Sequence, residues 1–296
     1  MRPRIRHPLL AGLGALCLVA LSACSLANGV VGAEDTPEPV TLAVPSWPGG
    51  QANVAVVAYV LENELGVPVE RVETDQRTAW DALGEGSVHA ILEDWGALPD
   101  RRELHVERKQ DVVDAGALGI TGHVGWFVPT AWAEEHPDAL HWRHLNEYAD
   151  ELGAQVLHGD PEYATRDETI IADLDLAYRT AATGSQESLE EEIAEAGREG
   201  RPLLTYLWQP HWLTSRVGLS EVELPPYYPR IQLRKYLNAE FAEEGGEAAD
   251  FLRAFSWTAE DQDEVAELIA AEGMTPTAAA REWVNAHQAT VAAWLR

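Results

Sequence analysis

VTLAVPSWPGGQANVAVVAYVLENELG, residues 40–66, decides how the rest of the chain is read. VTLAVPSW reads as an apolar strand ending at Trp47. Pro48-Gly49-Gly50 turns the chain, and the apolar positions after Gln51 recur at helical spacing until Gly66 stops them. VPVERVE reads as a second strand, RTAWDALGEG as a short helix closed by glycine, and VHAILEDW as a third strand ending at Trp95. This βαβαβ alternation implies an α/β protein with a parallel sheet and right-handed crossovers.

The style repeats downstream. GHVGWFVP reads as a strand, HLNEYADELG as a helix, AQVLHG as a strand, and DETIIADLDL and ESLEEEIAEAGREG as helices. RPLLTYLW is the next strand, and it stops at Gln209-Pro210 with His211 and Trp212 following. After VELPPYYP the pattern turns helical to the end. The expectation is two α/β units with a helical tail that must pack on one of them.

The 296 residues suffice for one large domain or two medium lobes. The N-terminal stretch MRPRIRHPLLAGLGALCLVALSACS has Arg2, Arg4 and Arg6, a short apolar run and then small residues, the pattern of a secretory signal over residues 1–23. That run is shorter than the roughly 20 residues that span a bilayer. Leu21-Ser22-Ala23-Cys24 looks like a bacterial lipobox, which makes Cys24 the expected lipidated first residue of the mature chain. Residues 24–39 read as a flexible tether. The other cysteine, Cys17, lies inside the signal, so the mature chain is expected to form no disulfide and no cysteine metal site.

The formal net charge is −28, and removal of the three signal arginines leaves 18 basic against 49 acidic residues, −31. Such a surface repels nucleic acid and anionic headgroups and tolerates cationic or zwitterionic ligands. Membrane attachment is expected through the lipid alone, so transport would need separate membrane subunits.

Ligands of open parallel sheets bind beyond the C-terminal ends of strands. Trp47, Trp95 and Trp208 all fall at strand ends, and Asp160-Pro161-Glu162-Tyr163 follows another strand. If two lobes face each other, these rings share a cleft. A quaternary ammonium has methyl groups in place of N–H donors, so ring faces capture it through cation–π attraction, about 0.5–2 kcal/mol per well-placed ring.

Several pieces together resemble the substrate-binding lipoproteins of glycine betaine/proline betaine/choline ABC importers, over most of residues 40–296. They are the stretch at 40–66, GEGSVHAILEDWGALPD, GITGHVGWFVPTAWAEEHPD, YLWQPHW and the C-terminal EDQDEVAELIAAEGMTPTAAAREWVNAHQATVAAWL. The resemblance implies a type II periplasmic-binding-protein fold, with two α/β lobes, a ligand cleft between them and two hinge crossovers near residues 118–126 and 221–228. Lobe 1 would hold residues 40–122 and 224–296, and lobe 2 residues 123–223. It further implies that Trp95 and Trp208 are cage tryptophans, that Trp47 is an aromatic of the first loop, and that Tyr163 stands where betaine binders carry a tryptophan. This last departure leaves the ligand open among glycine betaine, proline betaine, carnitine, choline and ergothioneine.

A betaine carboxylate needs N–H donors, best at a helix start. Ala164, Thr165 and Arg166 follow Tyr163, and His211 is a second choice. For a ligand without a carboxylate, Asp94, Glu93 or Asp160 would add negative charge near the cation. The sequence holds no G-x-S-x-G, H-E-x-x-H or P-loop, so no enzyme and no cofactor is expected. His141 and His144 sit three apart and offer a rival metal site without a visible third ligand. The expected protein is a monomeric, lipid-anchored extracytoplasmic receptor that hands a quaternary ammonium solute to a separate permease and ATPase, with osmoprotection as its setting.

Overall fold

The computed structural model describes residues 38–161, 163 and 165–296. The signal, Cys24, most of the tether and Ala164 lie outside the described residues. The strands are β1 Val40–Val44, β2 Val69–Glu73, β3 Ala90–Asp94, β4 Val112–Pro129, β5 Gln155–His158, β6 Arg179–Ala182, β7 Thr205–Gln209, β8 Leu219–Glu221 and β9 Ile231–Asn238. Their order is β2-β1-β3-β9-β4-β7-β5-β6, with β8 also paired to β4.

The expected parallel strands are present, β2-β1-β3 at one side and β7-β5-β6 at the other. Between them lie two strands that change the sheet from parallel to mixed. β4 runs antiparallel to β9 over Val112–Gly122 and then antiparallel to β7 over His123–Phe127. The chain therefore crosses from one strand set to the other inside β4, and returns through residues 222–230 into β9.

β9 corrects the reading that everything after VELPPYYP is helical. IQLRKYLN carries Arg234 and Lys235 in its middle, which obscures a strand pattern. Arg234 forms a two-pronged ion pair with Asp114, at 2.7 and 2.8 Å. Lys235 is fully buried and donates to the carbonyls of Leu252, Arg253 and Phe255. Those are unpaired carbonyls at the end of the Gly246–Ala254 helix, which a cation satisfies. HLNEYADELG is also not an α-helix: Trp142–Tyr148 forms 3-10 turns.

Local chemistry sets the remaining element ends. Pro48 starts the Pro48–Asn63 helix directly after Trp47. Asp75 caps the Gln76–Glu85 helix by accepting from Arg77 and Thr78 N–H, and Gly86 closes it at φ 77°. Thr258 and Asp261 form a capping box at Ala259–Ala270. The C-terminal helices pack on the Pro48–Asn63 helix in one apolar core with β1, in which Trp257, Trp283 and Trp294 pack in series and which also holds Val56 and Val60. A second core surrounds β7 and β5, and Trp47 from the first strand set is buried in it.

Candidate functional site

The loops after β1 and β3 and the end of β7 meet at one cavity of about 220 Å³. Trp47, Trp95, Tyr163 and Trp208 all line it, although they come from four separate segments. Their rings form a continuous edge-to-face series. Trp47 to Tyr163 is 6.2 Å at 77°, Tyr163 to Trp208 is 5.8 Å at 77°, and Trp208 to Trp95 is 6.3 Å at 66°. These are favourable geometries, and each ring fixes the tilt of the next.

Behind Trp47 and Trp95 sits Glu93, 6% exposed. Its Oε1 accepts both indole N–H groups at 2.7 Å. Its Oε2 accepts from Asn53 and Gln262, at 2.5 and 2.6 Å. Asn53 in turn accepts from Trp257 Nε1 at 2.9 Å, which ties these two rings to the C-terminal segment. Burial pushes the Glu93 carboxyl up, while the hydrogen bonds from Trp95, Trp47, Gln262 and Asn53 oppose that rise. A carboxylate at the N–H edges of two indoles makes their faces richer in negative charge. That is the electrostatics a cation seeks.

Glycine makes room for this wall. A Cβ at Gly50 would lie 2.3 Å from Pro45 Cγ and 2.9 Å from Trp47 Nε1. A Cβ at Gly122, where β4 changes partners, would lie 2.4 Å from Trp95 Cζ3.

The opposite wall rests on β7. Tyr206 and Trp208, two residues apart, share the face that lines the cavity, while Leu207 points into the other core. Tyr227 and Tyr228 complete the lining from the return crossing. The Tyr228 hydroxyl accepts from Arg166 N–H and donates to Asp167 Oδ1, both at 2.7 Å. Asp167 is fully buried and also accepts from Trp126 Nε1 at 2.7 Å, with His158 Nε2 3.2 Å from its other oxygen. Burial raises the Asp167 carboxyl and lowers His158, each moderated by its neighbours.

Thr165 and Arg166 line the cavity as expected, and Arg166 is exposed. Two expected residues stand elsewhere. Asp94 faces away and accepts from Gly96 N–H at 3.0 Å and from Trp80 Nε1 at 3.4 Å, because successive side chains of a strand point to opposite faces. His211 is buried behind Trp208, with ring centroids 5.0 Å apart, and pairs with Glu190 and Gln186. It supports the wall without lining the cavity. Asp160 accepts from Ser46 Oγ at 2.8 Å, a bond between the loops after β1 and β5.

Sequence reading missed Tyr206, Tyr227, Tyr228 and Gln76. Tyr206 was findable, since it precedes Trp208 by two on the same strand face. The histidines of the rival metal site have other partners: His141 lies against Arg143 and His144 against Glu147. Among the described residues no group of three or more His, Cys, Asp or Glu is placed to hold a metal ion.

Residues 38–286 match the substrate-binding domain of the ABC-type glycine betaine transport system. The chain belongs to that family. It is therefore an extracytoplasmic solute-binding domain of an ABC importer and not an enzyme. The trimethylamine N-oxide-binding protein of Pelagibacter ubique is 23% identical over 86% of this chain and 90% of that protein. Lactococcal OpuAC, closed on glycine betaine, superposes with a TM-score of 0.77 at 19% identity, covering 87% of this chain and 99% of its own. The glycine betaine/L-proline-binding protein of Borrelia burgdorferi gives 0.78 at 18%, over 88% and 97%. A choline-binding protein in complex with choline gives 0.74 at 16%, over 86% and 91%. These likenesses show the periplasmic-binding-protein fold. Among the described residues no helix is long and apolar enough to cross a membrane.

Proposed function

We propose that this domain captures a methylated, quaternary ammonium solute of the glycine betaine kind in the cage of Trp47, Trp95, Tyr163 and Trp208, and delivers it to a separate permease and ATPase. The observation that carries this reading is Glu93, a buried carboxylate that holds both Trp47 and Trp95 by their N–H edges. Its ring faces favour a methylated cation, which carries no N–H for a hydrogen bond. Choline or trimethylamine N-oxide is a second reading, supported by relatives that bind them.

Capture proceeds by closure of two lobes, residues 40–122 with 224–296 and residues 123–223. The walls come from both strand sets, so a ligand touching both favours the closed form. The partner change at Gly122/His123 and the return at 222–230 act as hinges. Lipidation at Cys24 holds the monomer at the outer face of the cell membrane. Isothermal titration with glycine betaine, proline betaine, carnitine, choline, ergothioneine and trimethylamine N-oxide tests the reading, with glycine and proline as controls. Binding of a methylated member and not the controls supports it. Equal binding of the controls, or none at all, removes the cage.

A further inference from the structure

Most polar atoms around the cavity are already committed to the protein. The indoles of Trp47 and Trp95 donate to Glu93. Tyr163 donates to Gln186, Tyr227 to Asp173 and Tyr228 to Asp167. β7 is different. The Tyr206 hydroxyl has no protein partner among the described residues, yet the residue is only 8% exposed. The Trp208 indole N–H, on the same strand face, likewise has none, with Trp208 7% exposed. Neither atom is fully sealed from solvent, and the cavity both residues line accounts for that contact.

A polar side chain more than nine-tenths buried, unpartnered and facing a cavity is a site for a ligand atom, because leaving it unpaired is costly. An indole N–H only donates, and a phenol donates readily to an anionic oxygen. Burial pushes the Tyr206 phenol up, and the Asp167 charge adds to the rise, so it keeps its proton at neutral pH. Of the other lining groups without a partner among the described residues, Gln76 presents a buried amide oxygen, an acceptor, from the opposite wall, and Arg166 an exposed guanidinium. The stacked His158 ring, 5.6 Å from Tyr206 at 22°, fixes the phenol in place.

We infer that the Tyr206 hydroxyl, with the Trp208 N–H on the same face, receives the oxygen of the ligand, so that the site selects a methylated ammonium carrying a carboxylate or N-oxide oxygen. This rests on the cage reading above. The cation and its oxygen are then sensed by different parts of one strand: the Trp208 ring face for the methyl groups, and the two donors for the oxygen.

The test is calorimetric titration of the mature protein and of Tyr206→Phe with glycine betaine, trimethylamine N-oxide and tetramethylammonium, the last being a methylated cation with no oxygen. The wild type should bind an oxygen-bearing probe more tightly than tetramethylammonium. Tyr206→Phe should weaken that probe about tenfold, the effect of losing one hydrogen bond to a charged acceptor, and leave tetramethylammonium within about twofold. An unchanged melting temperature shows that the variant is folded. Equal weakening of all probes, or no weakening of the oxygen-bearing ones, overturns the inference while the cage stands. If the wild type binds none of the three, this inference falls, and the wider panel above decides whether the cage stands.

Discussion

The two walls of the cavity use their polar atoms in opposite ways. On the β1/β3 wall, both indole N–H groups are spent on Glu93, and a network through Asn53 and Gln262 locks the rings. On the β7 wall, Trp208 and Tyr206 are held by packing against His211 and His158, and their polar atoms have no partner among the described residues. One wall is built to be rigid and negative. The other leaves its donors facing the cavity, where the proposed ligand oxygen would sit. Aromatic cages look uniform when only ring faces are considered, and the N–H and O–H edges separate the roles.

Removing the carboxylate should break the contrast most severely. Glu93→Ala leaves two indoles and two amides unpaired in the interior, and a loss of about 3–5 kcal/mol in unfolding free energy is expected by urea denaturation. Ligand binding should disappear with it. A variant of near-native stability that still binds would show that the rings hold their places without Glu93. Crowding is the next largest test. Gly122→Ala drives a methyl into Trp95 and should cost about 1–3 kcal/mol of stability, with weaker ligand binding. Intrinsic fluorescence would report the displaced indole.

Trp208→Ala should weaken ligand binding by about 1–3 kcal/mol, combining lost ring area and cation–π attraction. A change in calorimetric affinity below a few tenths would take Trp208 out of the cage.

Two smaller effects concern charge. Asp263 lies on the helix that supplies Gln262, and burial together with the charges of Glu260, Glu93 and Glu267 raises its carboxyl to about 7. Its folded value lies above its unfolded one, so its contribution is favourable in acid and is lost as pH rises through about 7. Asp263→Asn should therefore stabilise the protein at pH 8 by about 1–2 kcal/mol after allowance for partial exposure, with no gain below about pH 4. Melting curves across that range check the sign. Glu93 is also raised by burial, so binding of a permanently charged probe such as tetramethylammonium should weaken on acidification as its carboxylate is neutralised. In Glu93→Gln the affinity should be lower at neutral pH and the pH profile flat.

Much of the architecture is written locally. Trp47, Trp95 and Trp208 fall at or just beyond strands whose apolar runs are stopped by proline or glycine, although β1 ends at Val44 and Trp47 stands at the start of the next helix, and helix ends follow from caps such as Asp75 and Thr258. The four rings that meet at the cavity, Trp47, Trp95, Tyr163 and Trp208, are singled out by the sequence. Strand alternation turns Asp94 to the other face, and its neighbour Glu93 takes the place beside the rings. β9 was missed because Lys235 looks like a surface residue until the carbonyls of a distant helix are known.

The sequence by itself determined most of the elements, the aromatic residues near the strand ends and the acidic composition, because periodicity, turn residues and charge act over a few neighbours. Only the tertiary structure decided what stands behind and between the rings. Glu93 meets Gln262 across 169 positions, Tyr228 meets Asp167 across 61, and Tyr206, on the cavity face of β7, has no hydroxyl partner among the described residues. Hydrogen bonds of that span depend on where whole elements pack, and no local pattern encodes them.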